Sequence, residues 1–177
     1  MDRALFSRLQ EGRKKFQAER TQKRLLHERN LFDQGKKDIG KLTSREQFLV
    51  GVALYWAEGF KHQDESTLGL ATLDPKMAKF YVDWLVGSLG IVKENLLFTV
   101  TANEAYKEKI GEMERYWADF LRVDISQFRK AFFQKTKQLK IYANSDKYHG
   151  VIRIRVRKGL DILRRMRGWM AGLAETI

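Results

Sequence analysis

Apolar positions are unevenly spread along this chain, and their spacing predicts its elements. The densest run is 48–59, FLVGVALYWAEG. Thr43 with Glu46 three residues later is a capping-box signal ahead of it, and Gly59 stands where a helix would turn left-handed and stop. The run is apolar nearly all round, which predicts a helix buried on most of its surface. Residues 67–73 then read as a strand. Asp74-Pro75 is a strong helix start, followed by Met77, Phe80, Tyr81, Trp84, Leu85 and Leu89 at helical spacing and Gly90 as the stop. Residues 96–101 form a second strand candidate. Tyr106, Ile110, Met113, Trp117, Phe120 and Leu121 predict an amphipathic helix over 104–122. A strand at 128–136 and a Lys-rich loop to His149 follow. The clearest strand is 151–157, with Ile152, Ile154 and Val156 on one side and Arg153, Arg155 and Arg157 on the other. A last helix turns Leu160, Leu163, Met166, Trp169, Met170 and Leu173 inward and Arg164, Arg165 and Arg167 outward.

Residues 1–34 differ from all this. They are rich in Arg, Lys, Gln and Glu, with thinly spaced apolar residues such as Leu9, Phe16, Leu25 and Phe32. That composition favours a long basic helix or helical pair, and 35–42 reads as a charged linker. The organisation expected is a basic helical arm with its linker at 1–42 and an α+β domain at 43–177. The domain would carry a small antiparallel or mixed sheet with one basic face and helices packed on the other. The tryptophans Trp56, Trp84, Trp117 and Trp169 are expected in its core.

Charge adds a partner to this picture. The 177 residues carry a net charge of +12. Residues 1–41 have 12 Lys/Arg against 6 Asp/Glu, residues 42–127 have 9 against 13, and residues 128–177 have 13 against 3. Two basic ends around a slightly acidic middle point to a polyanion reached from particular surfaces. The three arginines spaced by two cannot face a core, so they make a positive stripe on the sheet. A strand ribbon can enter the major groove of DNA, where base edges are distinguishable, while basic side chains beside it neutralise phosphates. Arg129, Lys135 and Lys137 extend the basic set next to Arg153, Arg155 and Arg157. The chain has no cysteine, which rules out disulfides and thiolate metal sites and fits a reducing, cytoplasmic setting. No apolar run is long enough to span a membrane and the N-terminus has no signal-peptide core.

Most catalytic signatures are missing. There is no phosphate-binding loop, dinucleotide fingerprint or nucleophile elbow, and His27, His62 and His149 lack zinc-ligand spacing. The distinctive group is Glu58. A carboxylate at a helix C-terminus opposes the macrodipole at a cost of roughly 0.3–1 kcal/mol, and a bound cation would offset that. Asp64 and Glu65 could add a further metal oxygen.

Residues 51–59, GVALYWAEG, resemble the LAGLIDADG motif of homing endonucleases. Leu54, Ala57 and Gly59 match it letter for letter, Ala53 keeps a small residue, and Glu58 stands where the family has its catalytic Asp or Glu. Thr72-Leu73-Asp74-Pro75 resembles that family's junction between a strand and the second helix. The chain also resembles a prokaryotic subgroup with a basic N-terminal helix and an ALYWAEG-type core. The resemblance implies two such helices packed through Ala53, Leu54 and Ala57 in a homodimer, with two Glu58 side chains side by side. It implies Mg²⁺ held at Glu58 and Gly59, and metal-assisted hydrolysis of double-stranded DNA. A catalytic lysine is also implied; Lys61, Lys135 and Lys137 are all open to that role, and Lys61 is taken here. Decayed LAGLIDADG domains in transcription regulators imply the alternative, DNA binding without cleavage, and the family's intron maturases keep RNA open as a partner. The chain departs from the family in three places. Trp56 replaces the first Asp of the motif, there is little room for a full first strand between Gly59 and residue 67, and the helix at 104–122 looks inserted.

Overall fold

A computed structural model describes residues 3–62, 66–135 and 148–176, with side chains from residue 6 onward. The chain divides into two compact units, Met1–Leu42 and Thr43–Ile177. The first is one helix, α1 (Arg3–Ile39), rather than a helical pair. The expected linker at 35–42 is helical as far as Ile39, because Gly35 meets no neighbouring atom and costs the helix only about 1 kcal/mol of propensity. Every described side chain of α1 is exposed, including Phe16, Leu25 and Phe32.

The second unit starts at a working capping box. In α2 (Ser44–Glu58) the Glu46 amide donates to Thr43 Oγ1 at 3.3 Å, and the Thr43 amide donates to the Glu46 carboxylate at 2.6 Å. The Thr43 bonds hold the Glu46 carboxyl below its ordinary range, the backbone bond most strongly. The rest of α2 corrects an expectation. Only Gly51, Val52 and Tyr55 are buried, while Val50, Ala53, Trp56 and Ala57 are exposed. The helix is apolar nearly all round, yet the domain covers one side of it. Trp56 therefore leaves the list of core residues, at 40% exposed. Gly59 corrects another. It is extended (φ −67°, ψ 156°), not left-handed, and glycine is required for space: a β-carbon there would fall 2.5 Å from the Tyr55 ring and carbonyl.

Four strands form a mixed sheet in the order β1-β4-β2-β3, built from β1 (Gly69–Thr72), β2 (Leu96–Asn103), β3 (Phe132–Gln134) and β4 (Val151–Val156). The inner strand β4 pairs antiparallel with both neighbours, Ile154 lying opposite Leu70 on one side and Phe98 on the other. β3 is parallel to β2. A parallel pair needs a crossover, and the segment between them supplies one: a 3-10 stretch at Glu104–Lys109, then α4 (Ile110–Leu121). The single helix expected over 104–122 thus begins as a tighter turn. It stops at Arg122 in a left-handed conformation (φ 53°), whose amide reaches back to Ala118 and Asp119. Of the strand expected at 128–136, the described residues 128–135 form three strand residues plus one bridge from Phe128 to Phe98. Residues 136–147, with most of the expected Lys-rich loop, lie outside the described residues. The strand expected at 67–73 loses both ends, since Asp74 turns the chain into α3 (Pro75–Gly87) by capping Lys76 and Met77.

Alternation on β2 and β4 sorts their side chains. Leu96, Phe98, Val100, Ile152, Ile154 and Val156 are buried under the helices. Tyr81, Trp84 and Leu85 of α3 and Trp117 and Leu121 of α4 complete this core with Leu163 and Met166 of α5 (Leu160–Glu175). Each large apolar side chain so buried contributes roughly 1.5–3 kcal/mol of burial free energy. Leu160, expected inward, is 40% exposed because it opens α5 before the helix reaches the core. The molecule is an α+β fold. No described helix is long and apolar enough to cross a membrane.

Candidate nucleic-acid interface

The end of α2 is attached directly to the sheet. Gly59 forms an isolated antiparallel bridge with Leu70, and the Phe60 amide donates to the Gly69 carbonyl at 2.9 Å. Among the described residues, a single bridge stands in the narrow space before β1. It places Glu58 at the β1 edge, about 10 Å, two strand spacings, from β4. The Glu58 side chain is exposed and makes no hydrogen bond or ion pair with any described residue.

Lys61 folds back over this helix end. Its ammonium donates to the carbonyl oxygens of Trp56 and Ala57, the latter at 3.1 Å. A cation at the negative pole of the helix is favourable. Lys61 sits at the helix pole where the sequence predicts a bound cation, three residues past Glu58 and two past the buried Gly59. Among the described residues, no three His, Cys, Asp or Glu side chains lie close enough to hold a metal ion together. Asp64, Glu65 and Lys137 lie outside the described residues.

The outer face of the sheet carries the arginines. Register places Arg155 between Gly69 and Leu97, and Arg153 between Ala71 and Thr99. Both are half-buried, not fully solvated, because the Phe60 ring covers them: each guanidinium carbon is 4.9 Å from its centroid. Arg157 lies just past β4, exposed, its amide donating to the Asn95 carbonyl at 2.8 Å. Arg129 follows the Phe128 bridge, its amide donating to Phe98 at 2.8 Å, and Lys135 follows β3; both are exposed. The structure thus brings Arg153 and Arg155 together on β4 and leaves Arg129 and Lys135 toward the β3 edge.

Ala53 and Ala57 share the outward side of α2 with Val50, and Leu54 beside them is half-buried against the domain's own core. Val50 is 43% exposed, and neither alanine is buried in this unit. A row of apolar residues four and three apart is a surface that another helix could approach closely.

Phe60 is the residue that sequence reading missed. Its signal was available, an aromatic residue opening the polar stretch FKHQDES directly after the motif. Its contact with β4 depends on the bridge to β1, which no local pattern announces. Also unforeseen is the stack of His149 on Tyr116, rings 3.5 Å apart and 13° from parallel, with burial pushing the imidazole pKa down. No family model matches the chain, and no curated protein or solved structure does.

Proposed function

We propose that this protein is a DNA-binding protein of the LAGLIDADG type, acting as a homodimeric, metal-dependent DNA endonuclease. The observation that supports this best is the bridge at Gly59. It joins Glu58, an exposed carboxylate with no hydrogen bond or ion pair to any described residue, to the edge of a sheet whose outer face carries Arg153 and Arg155. Duplex DNA lying on that face would present phosphates to the arginines and to Arg157, Arg129 and Lys135 at the margins.

Among the described residues, one chain offers a single carboxylate and the Gly59 peptide here, too few donors for a complete site. Two copies joined through Val50, Ala53, Leu54 and Ala57 bring two Glu58 side chains together, and phosphate oxygens complete a hard oxygen set that suits Mg²⁺. When bound, Mg²⁺ would supply Lewis-acid polarisation of the phosphate and a water of lowered pKa. The chain's own part is to hold the Glu58 carboxylates at the dimer axis and to fix the DNA by its arginines. Lys61 is taken as the accessory lysine; its ammonium, drawn onto the Trp56 and Ala57 carbonyls, would stabilise the helix end that carries Glu58.

One observation favours binding without cleavage, the regulator reading on the same fold: among the described residues a single bridge stands before β1, which narrows the ribbon available for reading DNA. Plasmid cleavage separates the two. With Mg²⁺ the wild-type chain is expected to nick or cut DNA, and Glu58→Gln to bind DNA but not cut it. Tight binding with no cutting across a substrate library would leave the regulator reading in place. RNA of the same length is the parallel arm, since a charged sheet face serves either polynucleotide.

A further inference from the structure

We infer that Phe60 is a positioning residue, which holds Arg153 and Arg155 as a preset pair for contact with nucleic-acid phosphates. This rests on the DNA-binding reading of the sheet face and adds a residue to it. The main chain of Phe60 is fixed on both sides. Its amide donates to Gly69, and its carbonyl accepts from the hydroxyl of the fully buried Tyr55 at 2.6 Å. Its ring has a floor because Gly69 has no side chain. A β-carbon there would lie 3.1 Å from Phe60 Cδ2, 2.9 Å from Arg155 Cγ and 2.4 Å from the Ile154 carbonyl. With the ring so seated, Arg153 and Arg155 reach it from β4 at equal distances of 4.9 Å.

Two guanidinium groups on one face of a strand, two residues apart, repel each other and each has many rotamers. An aromatic face attracts both cations through its quadrupole. It offers no lone pair, so the ring itself takes up none of the N–H donors with which a guanidinium meets phosphate oxygens or the acceptor edge of guanine. Ordering long side chains before binding removes a cost that would otherwise fall on the complex. The pair is therefore preset by a ring that itself contributes no charge.

The test is duplex DNA binding by the full chain, measured by anisotropy across a salt series. Phe60→Leu keeps the apolar cover and the main-chain bonds; it is expected to weaken binding of order tenfold, from the ordering cost of two side chains. The slope of log K against log salt should stay unchanged, because no phosphate-neutralising charge is lost. Arg153→Ala should weaken binding and also flatten that slope. Phe60→Trp, with a stronger cation-attracting face, should restore wild-type affinity. In an Arg153→Ala/Arg155→Ala background Phe60→Leu should have no further effect. An equal loss in that background would assign Phe60 a merely structural role and overturn the inference. So would unchanged binding by Phe60→Leu while Arg153→Ala binds weakly. If Arg153→Ala itself binds like wild type, the DNA-binding reading of this face fails first, and Phe60 falls with it.

Discussion

The indole of Trp84 rests on the backbone of Gly51. A β-carbon on Gly51 would fall 2.0 Å from Trp84 Nε1, and that nitrogen donates to the Phe48 carbonyl at 3.2 Å. The close approach of α3 to α2 therefore depends on one missing side chain. Gly51→Ala forces the indole away and strains that hydrogen bond; it should destabilise the domain by about 1–3 kcal/mol, as overpacked cores do. Urea denaturation followed by tryptophan fluorescence measures this. A variant as stable as wild type would mean that the two helices can separate without loss.

The capping box at the other end of α2 makes a second prediction, with a pH sign. Thr43→Ala should cost about 1 kcal/mol at neutral pH, the usual worth of a side-chain cap. Glu46 contributes in its charged form, and folding lowers its pKa below the ordinary 4.5, through the Thr43 backbone bond first and the hydroxyl second. Its stabilisation is thus fully present above pH 4.5 and disappears as pH falls through the lowered value. The stability difference between wild type and Glu46→Gln should be constant from pH 7 to pH 5 and should close as pH falls below 4.5 through the lowered pKa. A difference that does not change with pH would remove the charge from the explanation.

These two ends show what was legible in the chain. Thr43/Glu46 and Asp74/Pro75 are local codes, in which a side chain bonds an amide two or three residues away, so position alone revealed them. The alternation at 151–157 was as plain, because a half-buried strand needs only a period of two. Gly59 was read correctly as a stop and wrongly as a left-handed one. What demands glycine there is the Tyr55 ring, a neighbour by helical geometry and packing. Trp56 is expected in the core and lies exposed, since apolarity marks a surface that avoids water without saying which molecule covers it. β3 lost most of its length for a related reason: a parallel edge pair depends on where α4 delivers the chain. At the site, Glu58 and the arginine stripe were visible as residue types, while the bridge that joins them and the ring between the arginines exist only in three dimensions.

His149 predicts acid sensitivity in a separate window. The imidazole lies on Tyr116, and its carbonyl accepts from Trp117 Nε1 at 2.7 Å. Burial lowers its pKa from the ordinary 6.5, so the unfolded chain takes up the proton first. Stability should be full above about pH 6.5 and decline as pH drops below it toward the folded value. His149→Phe keeps a ring on Tyr116 and has nothing to protonate. Thermal melts between pH 7.5 and 5 should slope for wild type and be flatter for the variant. Parallel slopes would assign the acid sensitivity to other groups.

The exposed side of α2 makes the last prediction. Ala53 and Ala57 lie one turn apart beside Val50 and Leu54, and a single chain leaves both alanines in solvent. Substituting an exposed helix position changes monomer stability by at most about 0.5 kcal/mol. Large charged side chains at the seam of two closely packed helices, by contrast, push the helices apart and bury unpaired charge. Ala53→Arg/Ala57→Arg should therefore keep the wild-type urea midpoint at low protein concentration and sediment as a monomer, where the proposed function has wild type sedimenting as a dimer. In the same variant Mg²⁺-dependent cutting should be lost while some DNA binding by each monomer survives, because Arg153 and Arg155 lie on the sheet and not on α2. Wild type sedimenting as a monomer with and without DNA would sink the paired-carboxylate site. Loss of folding in the variant would show instead that the alanines pack within their own chain, against the exposure seen here.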